Sequence, residues 1–367
     1  MPLKTLSGKY ADPRKGRGAG INPEGRFENV VREAFDDGWN SDTAVDDSLP
    51  PLKTHVTAER AKSIISRNDS PDIPFTQSVN PYQGCEHGCP YCYARPSHAY
   101  RNLSPGIDFE TRLFAKVNAA ELLRKELSKP GYRCEVISLG ANTDPYQPIE
   151  RQWKITRGIL QICAEFNQPA GIVTKNALVE RDIDILAAMA QKRLVNVFIS
   201  CNNLDHDLAR RLEPRCSAPR RRLEAMRRLS AAGIPVGVLV APVIPFLTDH
   251  QIEPVLQAAW DNGARTAGYV LMRLPWEVKD LFKDWLMRHY PLKAGHVMSR
   301  VHEMRGGRDN DPRFGSRMRG SGELADLLAQ RFHVACKRIG FNSGRRNGAL
   351  NATLFRVPGR GGQMPLF

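Results

Sequence analysis

No stretch of about 18 consecutive apolar residues occurs anywhere in the 367 residues, so a membrane-spanning helix is not expected. Met1 to Ile21 is polar and glycine-rich and lacks the apolar segment of a secretory signal. A soluble, cytoplasmic protein is therefore expected. Paired cysteines are missing too. Of eight cysteines, three crowd between Cys85 and Cys92, while Cys134, Cys163, Cys201, Cys216 and Cys336 are scattered singly. In a reducing compartment this distribution favours metal ligation over disulfides. There is no internal repeat of fixed period and no long low-complexity tract. With 41% hydrophobic content, one core of about 200–250 residues with smaller appendages is affordable.

Acidic residues are short relative to basic ones, 39 against 53, giving a formal charge of +14. Two segments hold the whole excess. From Arg300 onward there are 13 basic and 5 acidic residues, and from Arg210 to Arg228 there are 8 and 2. Clustered arginine engages phosphate, so nucleic acid is one candidate partner; a solvated helix face and a basic tail are the plain alternative.

Residues 1–70 are rich in Gly, Pro, Asp and Lys, with short apolar stretches at Val30–Phe35 and Ala58–Ile65. They read as an irregular N-terminal extension. From about residue 76 a strand–helix rhythm starts. Strands are expected near 78–82, 136–139, 170–173, 194–200, 235–241 and 268–274. Helices are expected near 155–166, 182–190, 208–212, 223–231 and 252–262. Six βα units imply an α/β fold, a partial (β/α)6 TIM-like barrel over 71–300, with chemistry at the carboxyl ends of its strands. Beyond 300 the pattern breaks into Arg/Gly-rich sequence with one helix near 323–339, read as a basic C-terminal cap and tail over 301–367.

The first strand runs into Asn80-Pro81-Tyr82-Gln83-Gly84-Cys85-Glu86-His87-Gly88-Cys89-Pro90-Tyr91-Cys92, with spacing C-x3-C-x2-C. Three thiolates on a tight loop suit three corners of an iron–sulfur cube and leave one iron without a protein ligand. Gly84 and Gly88 suit a loop that needs positive φ. A zinc site would need a fourth ligand, for which His87 is the nearby candidate, and a ferredoxin-like carrier would need a fourth cysteine.

With its aromatic residue just before the last cysteine, this motif resembles the signature of the radical S-adenosylmethionine (SAM) superfamily. The span 76–273 resembles the spore photoproduct lyase-like, DNA repair photolyase-related branch. Asn80–Pro96, Asn142–Glu150 and Ser200–Pro214 are most similar to its uncharacterised bacterial subgroup. The resemblance implies that Cys85, Cys89 and Cys92 hold a [4Fe-4S] cluster. That cluster would cleave S-adenosyl-L-methionine reductively to a 5′-deoxyadenosyl radical. Tyr91 is then expected near the adenine, Thr143 and Asp144 at the methionine moiety, Lys175 at its carboxylate and Ser200 in the same polar region. Glu213 either contacts the cofactor or pairs with an arginine, and Arg181 and Asp182 cap the third helix. A low-potential reductant such as flavodoxin or ferredoxin is an implied partner. The branch places a hydrogen-donating cysteine where this chain has Ala141, so thymine-dimer repair by that route is not expected, and Cys201 is the candidate substitute. The competing reading is a non-catalytic nucleic-acid-binding protein with a structural metal site.

Overall fold

The computed structural model describes residues 16–27, 52–343 and 349–359; Val30–Phe35 lies outside them. Strands are β1 His55–Glu59, β2 Ile65–Arg67, β3 Gln77–Val79, β4 Tyr82–Gln83, β5 Arg112–Lys116, β6 Ile137–Leu139, β7 Ala170–Thr174, β8 Val195–Ser200, β9 Val236–Val243 and β10 Thr266–Leu271. Helices are α1 Asp108–Thr111, α2 Ala119–Leu127, α3 Glu150–Trp153, α4 Ile155–Phe166, α5 Ile183–Gln191, α6 His206–Leu212, α7 Pro219–Ala231, α8 Ile252–Asp261, α9 Val278–His289, α10 Pro291–Glu303 and α11 Glu323–Ile339.

The main sheet runs β10-β9-β8-β7-β6-β3-β2, parallel throughout except for the antiparallel edge strand β2. Its six parallel strands are the six expected from the sequence. The middle strands are rich in Val and Ile and bury most of their residues, as a parallel sheet covered by helices requires. In α4, Ile155, Ile159, Ile162, Cys163 and Phe166 line the buried side, and Asn167, left-handed at φ 50°, ends the helix. α7 starts on Pro219, whose missing N–H costs nothing at a helix start. The sheet is open: β2 and β10 do not pair.

A second, three-stranded sheet, β1-β5-β4, lies outside the expected pattern. β4 leads straight into the cysteine loop and β5 follows α1, so the small sheet clamps both ends of that loop. The described part of the N-terminal extension contains regular structure. β1 and β2 both fall within it, and Arg17 to Ile21 are buried. Gly18 lies so close to Gly88 that a Cβ there would come within 1.6 Å of the Gly88 carbonyl oxygen. Such packing leaves no periodicity to read.

The Arg/Gly-rich segment also departs from expectation. Residues 305–320 form a strap that touches both sides of the open sheet. At the β10 edge, Leu271 N–H donates to the Met318 carbonyl at 3.0 Å. On the β2 side, Asp72 accepts from Arg317 Nε at 2.5 Å and from Gly315 N–H at 2.7 Å. Arg305, 1% exposed, donates to the carbonyls of Leu271, Met272, Ser316 and Arg317 at 2.7–3.2 Å. These are side chain to backbone ties, invisible to hydrophobic patterning. Arg305→Met would strip the donors from four carbonyls. Each unmet buried group costs about 1–3 kcal/mol, so urea unfolding should show a loss of at least about 3 kcal/mol and proteolysis should cut between 306 and 320. Unchanged stability would show the strap to be dispensable.

Candidate functional site

Cys85 and Cys89 are buried and Cys92 half-buried, all on the loop that leaves β4 at the carboxyl end of the first parallel strand. The loop bends at Gly84, φ +75°, and at Gly88, φ +72°. A Cβ at Gly84 would press on Leu113, His98 and the Phe109 carbonyl. Gln147 clamps the loop, accepting from Glu86 N–H at 2.9 Å and donating to the Gly84 carbonyl at 3.1 Å.

A fully buried ion pair backs the loop. Arg95 donates through NH2 to Glu110 at 2.5 Å, through Nε to the Cys89 carbonyl at 2.8 Å, and through NH1 to the carbonyls of Pro105 and Gly106. Glu110 also accepts from the N–H groups of Gly18 and Ala19 at 3.0 and 2.8 Å.

The thiols fit an iron–sulfur group. Burial, then the neighbouring Cys89 and Cys85, push the Cys92 thiol up to about 12, so a full set of thiolates here calls for a cation. Among the described residues no three His, Cys, Asp or Glu converge on a single-ion site. A cubane does not require that, because each thiolate takes its own iron. His87 is no fourth ligand. Its ring pairs with Asp144 at 3.4 Å and with Asn176 at 3.3 Å. Burial alone would lower its pKa, but Asp144 and Cys85 outweigh burial and raise it to about 10.

The strand ends bring the other expected residues to the same mouth, in unequal ways. Asp144 is a hub. Besides His87, it accepts from Thr174 Oγ1 at 2.7 Å, Lys175 N–H at 2.8 Å and Tyr146 N–H at 2.9 Å. Burial opposes its charge, but these partners, led by His87, hold its carboxyl down to about 2. Thr143 donates to the Tyr82 carbonyl at 2.9 Å, and Ser200 to the Ala241 carbonyl at 3.1 Å. Among the described residues, the half-buried Lys175 ammonium has no hydrogen-bond or ion-pair partner. Burial would lower its pKa, but Cys89, Glu213, Cys216 and Asp144 surround it and raise it.

Glu213 resolves to the arginine reading. Arg222 NH2 donates to it at 2.5 Å, and the Tyr91 hydroxyl donates to its other oxygen, which pins the Tyr91 ring. Arg181 and Asp182 do not cap α5; they join Glu150, Arg157 and Tyr146 in a buried ionic network. Cys201 is fully buried in the main core, with its thiol donating to the Asn203 carbonyl at 3.4 Å and its pKa raised by burial to about 11. Cys216 packs in the same apolar cluster as Cys89 and lowers its pKa against the effect of burial.

Sequence reasoning missed Cys216, Gln147 and the pair Asn202 and Asn203. Both asparagines are 1% exposed; Asn203 donates to Asn202 Oδ1 at 2.8 Å, leaving Asn202 Nδ2 and Asn203 Oδ1 without partners. Buried orphans of this kind suit a polar ligand. The doublet directly follows Ser200-Cys201, and two amides at the end of a buried strand were the available signal.

Removing Arg95 separates structural from surface electrostatics. Arg95→Met leaves Glu110 charged and buried, and should destabilise the protein by about 3–5 kcal/mol. Arg60→Met breaks only the exposed pair with Glu121 and should change stability by less than about 1 kcal/mol. Urea denaturation of the metal-free protein measures both, and equal effects would refute the assignment.

The Radical SAM superfamily profile matches residues 79–259. An uncharacterised protein of Mycobacterium tuberculosis is 38% identical over 237 residues, 63% of this chain and 68% of that protein. Another from Methanocaldococcus jannaschii is 27% identical over 239 residues, 65% of this chain and 85% of the relative. Among solved structures, spore photoproduct lyase complexed with dinucleoside spore photoproduct matches with a TM-score of 0.58 at 16% identity, over 78% of this chain and 80% of that chain. A likeness at that identity establishes a shared fold. A three-thiol loop at the mouth of six parallel strands, together with the profile match and the sequence relatives, places the chain in the radical SAM superfamily, whose members use a [4Fe-4S] cluster and S-adenosylmethionine.

Proposed function

We propose that this chain binds a [4Fe-4S] cluster through Cys85, Cys89 and Cys92, cleaves S-adenosylmethionine reductively and abstracts hydrogen from an organic substrate, with nucleic acid the preferred class. The observation that carries the reading is the loop itself: three thiols backed by a fully buried Arg95–Glu110 pair beside unpartnered polar groups on neighbouring strand ends. When bound, the cluster supplies an electron to the cofactor's sulfonium, releasing methionine and a 5′-deoxyadenosyl radical.

The chain's own residues supply grip and shielding. Lys175 pairs with the methionine carboxylate. The orphaned amides of Asn202 and Asn203 offer one donor and one acceptor to the ribose hydroxyls. Tyr91, held by Glu213, presents a fixed ring to the adenine, and fixed groups lose little entropy on binding. Thr143, Asp144 and Ser200 complete the cofactor side. Asp144 acts mainly by locking the second and third strand ends to His87, since its oxygens already accept from four protein groups. Each turnover consumes an electron, so a flavodoxin or ferredoxin is the fitting partner.

Two observations support the nucleic-acid preference: the fold is shared with a protein solved with a dinucleoside, and Arg210, Arg211 and Arg220 are exposed. The rest of that basic segment contributes less, because Arg222 is buried on Glu213, Arg215 pairs with Glu86, and Arg221 and Arg228 pair with Glu180 and Glu224. Against the structural-metal alternative, His87, its candidate fourth ligand in the loop, is engaged by Asp144 and Asn176.

Anaerobic reconstitution should give a brown protein with about four irons per chain that converts S-adenosylmethionine to 5′-deoxyadenosine under dithionite. Cys85→Ala, Cys89→Ala and Cys92→Ala should each abolish both properties. Cys134→Ala, half-buried and hydrogen-bonded to Gln168, should keep them. A colourless zinc protein, or iron retained in all three variants, would overturn the reading.

A further inference from the structure

Arg273 stands just beyond the carboxyl end of β10, on the mouth side of the sheet. It lies under the strap, and its guanidinium carbon is 4.7 Å from the centre of the Tyr93 ring. Tyr93 immediately follows Cys92, is 44% exposed, and donates its hydroxyl to the Ala141 carbonyl. Arg273 is poorly served by the protein. Its Nε is buried without a hydrogen-bond partner, NH1 reaches the Met318 sulfur at 3.7 Å, and among the described residues it forms no other side-chain hydrogen bond and no ion pair. Asp72, the acid whose charge acts on Arg273, is already held by Arg317 at 2.5 Å.

A partly desolvated guanidinium without a counter-charge is costly, and such a group ordinarily finds an acid or an array of carbonyls. Arg95, Arg222 and Arg305 all do so in this fold. Arg273 does neither. A second cation, Lys175, is also unpaired, and Tyr93 feels both charges. The cofactor brings one carboxylate, which Lys175 takes. The other cation then remains for a different anion.

We infer that Arg273 is an anion-recognition residue on the substrate side of this mouth, receiving a phosphate or carboxylate oxyanion of the substrate beside Tyr93. The inference rests on the proposed reading of the mouth as a SAM-dependent active site. Guanidinium suits this role, because it grips an oxyanion in bidentate fashion while stacked on an aromatic ring.

The test uses the anaerobically reconstituted, full-length protein saturated with S-adenosylmethionine. Potassium phosphate or potassium acetate is titrated at ionic strength held constant with KCl, and Tm is recorded. A ligand that binds only the folded state raises Tm. Either anion should raise the wild-type Tm, phosphate indicating a phosphorylated substrate and acetate a carboxylate. Arg273→Gln should shift half-saturation upward by about tenfold or more, as expected on losing a charge-assisted hydrogen-bond pair. Arg273→Lys, which keeps the charge, should fall between, and Arg227→Gln, exposed on α7, should match wild type. Equal half-saturation in wild type and Arg273→Gln would overturn the inference. So would the absence of any rise in wild type, or an equal loss of S-adenosylmethionine affinity in Arg273→Gln, which would assign the guanidinium to the cofactor. Iron content and the Tm rise on adding S-adenosylmethionine alone report separately on the underlying reading.

Discussion

One buried carboxylate, Glu110, ties together the parts on which the site depends. It accepts from Arg95 and from two consecutive backbone N–H groups of the N-terminal segment, while Arg17 donates to its carbonyl at 2.8 Å. Arg95 in turn holds the carbonyl of Cys89. Charge-assisted hydrogen bonds are strongest where water is excluded, and here neither partner is exposed. Because Gly18 leaves no room above Gly88, any movement of Glu110 is passed directly to the middle of the thiol loop. The loop is thus set by long-range ties to residues 16–19 as well as by its own glycines.

That dependence explains what could and could not be read in advance. The six parallel strands were legible, since buried runs such as 195–200 and 236–243 carry β-branched residues in a form that few other structures use. α11 was legible to its ends from its apolar spacing, and Gly340 in the left-handed region closes it. The three thiols were legible from spacing alone. The small sheet was not, because β4 has two residues and β5 follows a four-residue helix. α9 and α10 also escaped notice, being short-range amphipathic helices in a stretch of mixed charge. Gln147 and Glu110 look like ordinary surface residues in sequence, and only the fold makes them clamps.

Composition misled most over arginine. The basic excess between 210 and 228 looked like one surface, yet Arg222 is 1% exposed and spans Glu213 and the carbonyls of Ser200 and Ser217. Arg305 looked like part of a tail and is instead the pin of the strap. Both hold backbone carbonyls at or near the carboxyl ends of sheet strands, where an open parallel sheet runs out of internal partners. A rigid fork with five donors meets that need in a way lysine does not. Much of the net charge is therefore internal architecture, and nucleic-acid affinity cannot be scaled from +14.

The distribution of satisfied and unsatisfied groups divides the mouth. Around the thiol loop, the backbone and the acids are saturated by protein: Gln147, Arg95, Thr54 and Arg215 all reach in to hold it. On the opposing strand ends, Asn202, Asn203 and Arg273 keep buried, unpartnered nitrogens or oxygens. Other buried orphans exist, but Glu277 pairs with Arg26, Arg288 is bonded to Asp284, and Arg305 grips four carbonyls. Among the described residues, the buried orphaned groups that lack an ionic partner and a backbone carbonyl of their own lie at the ends of the fourth and sixth parallel strands. A fixed shell around reactive ligands, facing donors and acceptors left free, is the arrangement that spends the least reorganisation on binding. In an open sheet such an arrangement forms where strand ends converge, which is the physical argument for proposing the chemistry at that rim.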